Sequence, residues 1–455
     1  MKLSHPVSWI LTSFACGVVC ANDEAQLGSD VIEKVEGAIR DGGAQEIIAS
    51  MPLDSFTEVH EVLVTLADVP DRPSQRHEQE RRNLMKRMSK SHGKWDTNHP
   101  RHRLMEALFG FSRYKARQMA ELNRWKDLYT HVPKTQKRVL EKTIGYSHKF
   151  EITEQLHDVN QKLCDEIVQT ALEYYEISQE ELSAHSKAKD AANQLADRVS
   201  VSQALKHFVR DWSTSGQGER EDGFPCIHTT MKSLFPDRSE TDVKVLVPGS
   251  GLGRLGHELA GLGGFDVTIN EWSMFMNLAY RFVETHPGPG SKSVHPFIDS
   301  WSHHATNADM LRGVSFPDIR VNASSVLLVE GDFVAEFKSQ KGQFDSVVTY
   351  FFIDTARNVM SYFDTIHSVL KLGGYWINFG PLLWGTGPFV QLSLEEIAAV
   401  AKEMGFEFLD IDATCGDVTL ETDLIRGKEA VYGFNERALT KNAYSSQVWV
   451  ARKIR

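Results

Sequence analysis

The sequence has few cysteines and no surplus of positive charge. Its 455 residues include five cysteines and carry a formal net charge of −11. The cysteines are too few and too scattered for a disulfide framework and lack the paired spacing of a zinc site, so we expect buried or idle thiols at Cys16, Cys20, Cys164, Cys226 and Cys415. The negative net charge gives no reason to expect nucleic acid as a partner. A small or zwitterionic substrate stays open.

Long apolar runs are also scarce. The run at residues 7–20 follows Lys2 and precedes Ala21 and a polar segment. It is shorter than the about 18 to 20 apolar residues of a spanning helix, so no stable membrane span is expected. Its length and flanks resemble a secretory leader, which makes residues 1–21 a candidate signal peptide. One sequon, Asn322-Ala323-Ser324, would fit secretion.

The composition is that of a folded protein with more than one part. Hydrophobic residues make up 41% and charged residues 24%, as in globular chains, and the length favours two folded units. Residues 22–100 form a variable polar region, and a charge-dense stretch at residues 78–103 is interpreted as a solvated linker or helix face. Between residues 101 and 200, apolar residues recur at helical spacing, which predicts an α-helical subdomain.

Residues 201–455 have the pattern of an α/β domain. A helix is predicted at residues 201–212, with Arg210 near its exposed edge. After Asp242, short apolar runs alternate with helical segments, which predicts βαβ units and a seven-stranded, mostly parallel sheet of the Rossmann-like type. The predicted strands are residues 244–247, 266–270, 325–329, 344–350, 375–379, 407–411 and 447–451.

A glycine-rich turn follows the first predicted strand. It contains Gly249, Gly251 and Gly253 and leads into a helix. Glycine lets the backbone approach a ligand closely and permits positive φ angles. Gly251, Gly253 and Gly256 also satisfy the G-x-G-x-x-G pattern of dinucleotide sites. A nicotinamide site must therefore be weighed against an S-adenosylmethionine site.

Acidic residues follow the next two strands. Glu271 lies where a carboxylate can accept hydrogen bonds from both ribose hydroxyls, a feature that nicotinamide and S-adenosylmethionine sites share. Asp332 and Phe333 follow the third strand, where an acid can bind an adenine amino group and an aromatic ring can stack on the base. This order of elements and the added C-terminal strand favour a methyltransferase over a dehydrogenase.

Five segments together resemble the carnosine N-methyltransferase family. They are Phe208-Val209-Arg210-Asp211-Trp212-Ser213, Leu246-Val247-Pro248-Gly249-Ser250-Gly251-Leu252-Gly253-Arg254-Leu255, Asn270-Glu271-Trp272-Ser273, Phe351-Phe352-Ile353-Asp354-Thr355-Ala356 and Asn378-Phe379-Gly380-Pro381-Leu382-Leu383. The resemblance extends over residues 103–453. It implies a class I methyltransferase domain with S-adenosyl-L-methionine as cofactor.

The resemblance also implies roles for residues of the cofactor site. Arg210 matches an arginine that would bind the methionine carboxylate with a geometry that lysine does not copy. His207 stands where the family usually has glutamine. Tyr350 stands where family members have cysteine, and an aromatic ring there should alter packing near the methyl donor.

A second set of implied roles concerns the methyl acceptor. Asp354 matches the acidic residue closest to the transferred methyl group and is the candidate catalytic and substrate-orienting residue. Trp384 and Gly385 stand where the family has a substrate histidine, and Tyr444 matches a substrate tyrosine near the last strand. His303 and His304 lie in a segment that resembles the family's substrate loop.

These features predict an N-methyltransferase that acts on the imidazole of a histidine-containing dipeptide, of the carnosine to anserine type. The alternatives are methylation of another small amine or of a peptidyl histidine, a non-catalytic methyltransferase-like binding protein, and a nicotinamide oxidoreductase. The chemistry needs no metal. The resemblance indicates the cytoplasm or nucleus, whereas the leader indicates the secretory pathway. A homodimer is left open.

Overall fold

The structure, a computed structural model, describes residues 74–385 and 387–455 and the backbone of residues 47–51 and 60–64. The chain divides into two compact units, residues 1–72 and 73–455. In the first unit, β1 (Ile47–Met51) pairs antiparallel with β2 (His60–Val64). The candidate leader at residues 1–21 lies outside the described residues. None of the described helices is both long and apolar enough to cross a membrane.

The second unit begins with a series of helices. They are α1 (Gln75–Met88), α2 (Pro100–Ser112), α3 (Tyr114–Thr130), α4 (Lys134–Ile144), α5 (Tyr146–Tyr174), α6 (Gln179–Ala191), α7 (Arg198–Trp212) and α8 (Gln217–Leu234). The predicted helical character of residues 101–200 is confirmed. At the start of α7, Asp197 accepts a hydrogen bond from the Ser200 N–H at 3.0 Å, which satisfies a backbone donor that the helix cannot pair.

An α/β segment follows these helices. Its strands are β3 (Val243–Pro248), β4 (Phe265–Glu271), β5 (Lys292–Val294), β6 (Val314–Phe316), β7 (Val326–Glu330), β8 (Phe344–Tyr350), β9 (Leu370–Gly380), β10 (Phe406–Leu409), β11 (Asp417–Leu420), β12 (Ile425–Val431) and β13 (Ala443–Lys453). Its helices are α9 (Arg254–Gly261), α10 (Met274–Thr285), α11 (Asn307–Leu311), α12 (Phe333–Phe337), α13 (Val359–Val369) and α14 (Leu394–Glu403).

The main sheet has the strand order β11-β12-β13-β9-β8-β3-β4-β7, with β10 also paired to β13. The five strands β9, β8, β3, β4 and β7 are parallel, and β13, β12, β11 and β10 add antiparallel pairs. The seven predicted strands are all present in this sheet. Within the described residues the sheet also contains β11 and β12, which the sequence patterns did not predict.

One hydrophobic core joins the helical segment to the sheet. Leu108 of α2, Ile167 of α5 and Phe208 of α7 belong to the same buried cluster as Val245 of β3 and Ile269 of β4. A second cluster covers the opposite face and includes residues of β8, β9, α13 and α14. The parallel strands are apolar on both faces because helices cover both of them.

The expectation of idle thiols is wrong for two cysteines. Cys226 of α8 and Cys415, which lies in the turn Ala413–Cys415 after β10, form a disulfide bond. The two residues are 189 positions apart, so spacing in the sequence does not show that the fold brings them together. Cys164 is a free, buried thiol as expected. Cys16 and Cys20 lie outside the described residues.

Candidate active site

A pocket lies beyond the carboxyl ends of β3, β4 and β8. Six of the predicted site residues line it, namely His207, Arg210, Gly249, Gly251, Glu271 and Tyr350. The carboxyl ends of adjacent parallel strands meet at one edge of the sheet, which is where ligands bind in open α/β folds. The topology therefore brings together residues from α7, the glycine turn and two further strand ends.

The glycine turn forms the floor of the pocket. Gly249 has a φ of +64°, and a Cβ atom there would lie 2.3 Å from the Phe352 ring. Gly251 has a φ of +58°, and a Cβ atom there would lie 3.3 Å from Oδ2 of Asp211. Both positions therefore require glycine. Gly253, by contrast, is the N-cap residue of α9 and does not line the pocket.

Glu271 is tied to the glycine turn through its carboxylate. Its Oε2 accepts a hydrogen bond from the Gly251 N–H at 3.0 Å, and its Oε1 accepts one from the Ser273 N–H at 2.7 Å. Enclosure in the pocket raises the pKa of this carboxyl above its ordinary value. Each carboxylate oxygen can accept a further hydrogen bond, so Glu271 retains the capacity to bind ligand hydroxyls.

Arg210 lies inside an aromatic cage. Its guanidinium carbon is 4.2 Å from the centroid of the Tyr432 ring, 5.5 Å from that of Tyr350 and 5.6 Å from that of Phe351. Its Nε is 3.8 Å from Oε2 of Glu219. Arg210 is only 9% exposed, so the prediction that it lies at the exposed edge of its helix is wrong. The helix pattern could not reveal this, because the covering residue, Tyr432, is distant in sequence.

A roof over Arg210 is formed by residues 431–442, which are the last residue of β12 and the segment that connects it to β13. Glu219 of α8 accepts hydrogen bonds through Oε1 from the N–H groups of Gly433, at 3.1 Å, and Phe434. Asp222, one turn further along α8, accepts one from the Val431 N–H at 2.9 Å. The two carboxylates hold the backbone on both sides of Tyr432. They therefore fix the ring that covers Arg210.

His207 and Asp211 connect α7 to the glycine turn. Nδ1 of His207 lies 3.3 Å from Oδ2 of Asp211, which also accepts the Leu252 N–H at 3.0 Å. Burial alone would raise the pKa of Asp211, but the hydrogen bonds from His207 and the Leu252 N–H hold it below its ordinary value. Asp211 is therefore a charged link between the helix and the turn.

Asp332 and Phe333 do not line the pocket. Asp332 is exposed and caps α12, accepting the Ala335 N–H at 2.9 Å. Phe333 is buried, with its ring 5.5 Å from that of Phe352 and 5.6 Å from that of Tyr362. Its ring thus packs against other aromatic rings inside the protein.

A buried ionic network fixes the strand end that precedes Asp332. The fully buried side chain of Glu330 accepts from Arg281 at 2.9 Å and from the Tyr175 hydroxyl at 2.7 Å. Arg281 also pairs with Glu284 at 2.7 Å. Tyr175 directly follows α5, so the helical segment helps to position the end of β7.

Asp354 is close in sequence to residues that line the pocket, but it does not line the pocket itself. It belongs to the short turn Ile353–Thr355, and its Oδ2 accepts the Leu383 N–H at 3.0 Å. Burial raises the pKa of this carboxyl to about 6. Asp354 does not cap the next helix, since Asn358 is the N-cap residue of α13. In this structure Asp354 anchors the segment that follows β9.

Comparison with known proteins identifies the family. The family model described as carnosine N-methyltransferase matches residues 187–455. The carnosine N-methyltransferase of Mus musculus is 32% identical over 354 residues, covering 75% of this chain and 84% of the mouse protein. That of Schizosaccharomyces pombe is 35% identical over 277 residues, covering 55% of this chain and 70% of the yeast protein. The chain belongs to the carnosine N-methyltransferase family. The predicted family and methyltransferase class are confirmed, and the nicotinamide alternative is set aside.

The substrate roles that the carnosine N-methyltransferase family implies for the remaining residues stay predictions. The Trp384 indole N–H donates to the Leu392 carbonyl at 3.1 Å, and the Tyr444 ring lies 6.1 Å from that of Phe351, which lines the pocket. Neither residue lines the pocket itself. His303 and His304 lie beside the roof, where the His303 carbonyl accepts the Leu439 N–H at 2.8 Å and His304 bridges to Ala438.

Several residues that line the pocket were not predicted from the sequence. They are Asp211, Phe224, Met276, Phe351 and Tyr432. Asp211 and Phe351 occur in the quoted motifs and could have been found there. Tyr432 follows a strand that was not predicted, so no pattern pointed to it. Within the described part of the chain, no three histidine, cysteine or acidic side chains are grouped to hold a metal ion.

Proposed function

We propose that the chain transfers the methyl group of S-adenosylmethionine to an imidazole nitrogen of a carnosine-type dipeptide. One observation carries this proposal. In a member of the carnosine N-methyltransferase family, Arg210, Glu271 and the glycine turn meet in a single pocket at the carboxyl ends of the parallel strands. A cation that can bind a carboxylate and an acid that can bind a ribose thus line the same pocket as the glycine turn.

The residues present fit this cofactor. Of the residues that line the pocket, Arg210 would bind the methionine carboxylate and Glu271 the ribose hydroxyls. Asp332 and Phe333 stay proposed for the adenine amino group and the base, although neither lines the pocket in this structure. His207, Gly249, Gly251, Gly253 and Tyr350 complete the proposed cofactor site. The Ser250 hydroxyl lines the pocket and is buried without a hydrogen-bond partner among the described residues, so it is available to a polar ligand. When bound, S-adenosylmethionine supplies a methyl group on a sulfonium centre for displacement by nitrogen.

Asp354 is the proposed catalytic and substrate-orienting group. Neutral imidazole is already nucleophilic, so the protein has mainly to hold the acceptor nitrogen in line with the methyl group, an effect worth several kcal/mol. The Asp354 carboxylate would accept a hydrogen bond from the distal imidazole N–H and stabilise the positive charge that develops. Tyr444 and Trp384 are proposed as walls of the acceptor site.

A second acceptor class has one observation in its favour. Trp384 stands where the family has a substrate histidine, and its indole N–H is already engaged by the Leu392 carbonyl. A polar contact to the acceptor is therefore replaced by an aromatic surface. This exchange favours an acceptor that needs no polar contact at this position, such as another small amine or a histidine within a longer peptide.

The test is methyl transfer from labelled S-adenosylmethionine to carnosine, anserine, free histidine and a pool of histidine-containing peptides, with product masses measured. Label on carnosine but not on anserine, whose imidazole already carries a methyl group, is the expected result. Label on peptides alone would replace the dipeptide with the second acceptor class. No label on any acceptor, with the cofactor still bound, would contradict the proposed reaction.

A further inference from the structure

We propose that Arg103 of α2 is a positioning residue for the adenosine end of the cofactor, although it lies outside the α/β segment that forms the pocket. The proposal deepens the proposed function and rests on it for Glu271 as the acid that binds the ribose. It adds a side chain of the helical segment to the site. The contacts run from Arg103 through Trp272 to Glu271.

Arg103 engages both the ring and the backbone of Trp272. Its guanidinium carbon lies 4.0 Å from the centroid of the Trp272 ring, and its Nη2 donates a hydrogen bond to the Trp272 carbonyl oxygen. The two residues are 169 positions apart in the sequence, so the packing of the helical segment against the sheet creates this contact. The ring attracts the stacked cation, and the hydrogen bond fixes the peptide at the same time.

The peptide bond between Trp272 and Ser273 carries this effect to Glu271. Its carbonyl oxygen accepts from Arg103, and its N–H group, which belongs to Ser273, donates to Oε1 of Glu271 at 2.7 Å. A peptide bond is planar and rigid, so its carbonyl and N–H groups cannot move independently. Arg103 therefore fixes the donor that orients the Glu271 carboxylate. Both Glu271 and Ser273 line the pocket, whereas Arg103 acts from outside it.

The ring of Trp272 offers an aromatic surface next to Glu271 in the chain. Trp272 is 53% exposed even with the guanidinium of Arg103 over its ring. Phe333, by contrast, is buried against other aromatic rings. An exposed aromatic ring beside the acid for the ribose is a surface on which the base of the same nucleoside can stack. Arg103 thus supports the residues for both parts of the nucleoside.

The charge of Arg103 favours the same role. Burial lowers the pKa of its guanidinium to about 10, while the nearby carboxylates of Glu271 and Asp332 act in the opposite direction. Arg103 is therefore charged at neutral pH. A nearby cation favours the ionised form of a buried carboxyl such as that of Glu271, and this form accepts hydrogen bonds from ribose hydroxyls through both oxygens.

The experiment measures the binding of two ligands to the full chain by isothermal titration calorimetry. S-adenosylhomocysteine carries the adenosine and the amino-acid parts, whereas 5′-methylthioadenosine carries the adenosine part without the amino acid. We expect Arg103→Met to weaken the binding of both ligands about 10-fold, the scale of losing a charge-assisted hydrogen bond. Arg210→Lys should weaken the binding of S-adenosylhomocysteine alone, because the contact proposed for Arg210 is to the carboxylate.

Two further variants separate positioning from damage to the fold. Arg103→Lys keeps the charge and an N–H donor, and a single carbonyl acceptor needs no forked donor, so we expect it to bind both ligands within about 3-fold of the wild type. Arg138→Met, at an exposed arginine of α4, is the matched control and should bind as the wild type does. In the methyl-transfer assay, Arg103→Met should raise the KM for S-adenosylmethionine about 10-fold at an unchanged kcat.

Wild-type affinity of Arg103→Met for both ligands would overturn the proposal, and so would a loss confined to S-adenosylhomocysteine. A loss of both affinities that lysine does not restore, together with a lower kcat and a lower unfolding temperature, would also overturn it, because that pattern indicates damage to the fold. Binding needs no methyl acceptor. A failure of the proposed methyl transfer to a dipeptide would therefore leave the binding results unchanged, and the two failures are distinguishable.

Discussion

Arg210 combines two roles that a lysine cannot fill together. Its planar guanidinium stacks near Tyr432 and is proposed to bind a carboxylate in a forked geometry. We predict that Arg210→Lys weakens binding of S-adenosylhomocysteine about 10-fold to 100-fold, the equivalent of losing about 1.5–3 kcal/mol from a charged hydrogen bond. Isothermal titration calorimetry measures this directly.

The matched control for that variant is Arg138→Lys, at an exposed arginine of α4. It should bind S-adenosylhomocysteine as the wild type does, because neither side chain at this position reaches the pocket. If Arg210→Lys also retains full affinity, Arg210 does not bind the cofactor carboxylate.

Asp354 is predicted to act in its charged form. Asp354→Asn should lower methyl transfer about 100-fold or more, because a neutral amide does not stabilise a developing imidazolium, while affinity for S-adenosylmethionine stays nearly unchanged. Single-turnover kinetics and equilibrium binding separate the two effects. Asp364→Asn, at an exposed aspartate of α13, is the control and should keep the wild-type rate.

The pKa of Asp354 gives this residue a distinct pH signature. Burial raises the pKa from 3.8 to about 6, so the folded protein binds this proton more tightly than the unfolded chain does. The associated stability is present below pH 4 and is lost as the pH rises through about 6. Methyl transfer should show the opposite trend and fall as the pH drops below about 6. The acceptor imidazole itself titrates near pH 6.5, at about the same pH, so the profile is compared with that of Asp354→Asn. Identical transitions in the two proteins would argue against an ionised Asp354.

Site residues that directly follow a predicted strand were accessible from sequence. The glycine turn and Glu271 were located because parallel strands end at a common edge, and both lie where that rule places them. Glu219 and Tyr432 were not accessible, because their roles arise from a contact between α8 and a loop more than 200 residues later. No local pattern encodes such a contact.

At the scale of elements, the roof over the pocket depends on two carboxylates of α8. Charge-assisted hydrogen bonds are roughly twice as strong as neutral ones, so the double variant Glu219→Gln with Asp222→Asn should loosen residues 431–434. We predict faster amide hydrogen exchange at Val431, Gly433 and Phe434, by about 5-fold to 30-fold, which corresponds to about 1–2 kcal/mol.

Glu221→Gln is the control for the roof, because Glu221 lies on the same helix but is exposed. Its exchange rates at the three roof amides should equal those of the wild type. Equal rates in the double variant as well would mean that other contacts, such as that between Leu439 and His303, hold the roof by themselves.

The elements differ in how well their sequences reveal them. The central strands β3, β4 and β8 are runs of buried apolar residues between turns and were predicted to within one residue at each end. Strands β11 and β12 contain Asp417, Arg426, Lys428 and Glu429, and β11 is mostly exposed while β12 is mostly half-buried, so both lack the apolar signal of a buried strand. Pairing of β12 with β13 and of β11 with β12 forms them, and this tertiary effect does not appear in a local window.

At the scale of the whole molecule, the disulfide joins two distant parts of the chain. Replacing Cys226 and Cys415 together by serine should lower the free energy of unfolding by about 2–4 kcal/mol, since the cross-link restricts the unfolded chain. Urea unfolding of the oxidised wild type and the variant measures the difference. Reductant in the denaturant series should destabilise the wild type to the level of the variant and leave the variant unchanged. A wild type that is insensitive to reductant would mean that the bond does not form.

The shared hydrophobic core has a consequence for how this protein can change over time. Side chains of α2, α5 and α7 fill the same interior as those of β3 and β4, so neither layer has a complete interior without the other. A recombination event that joined this sheet to the helices of another protein would leave unmatched cavities and overlaps at every point of contact. The helices and the sheet are therefore expected to be inherited as one block, and chimaeras between relatives should tolerate crossover points in the surface loops far better than one near residue 200.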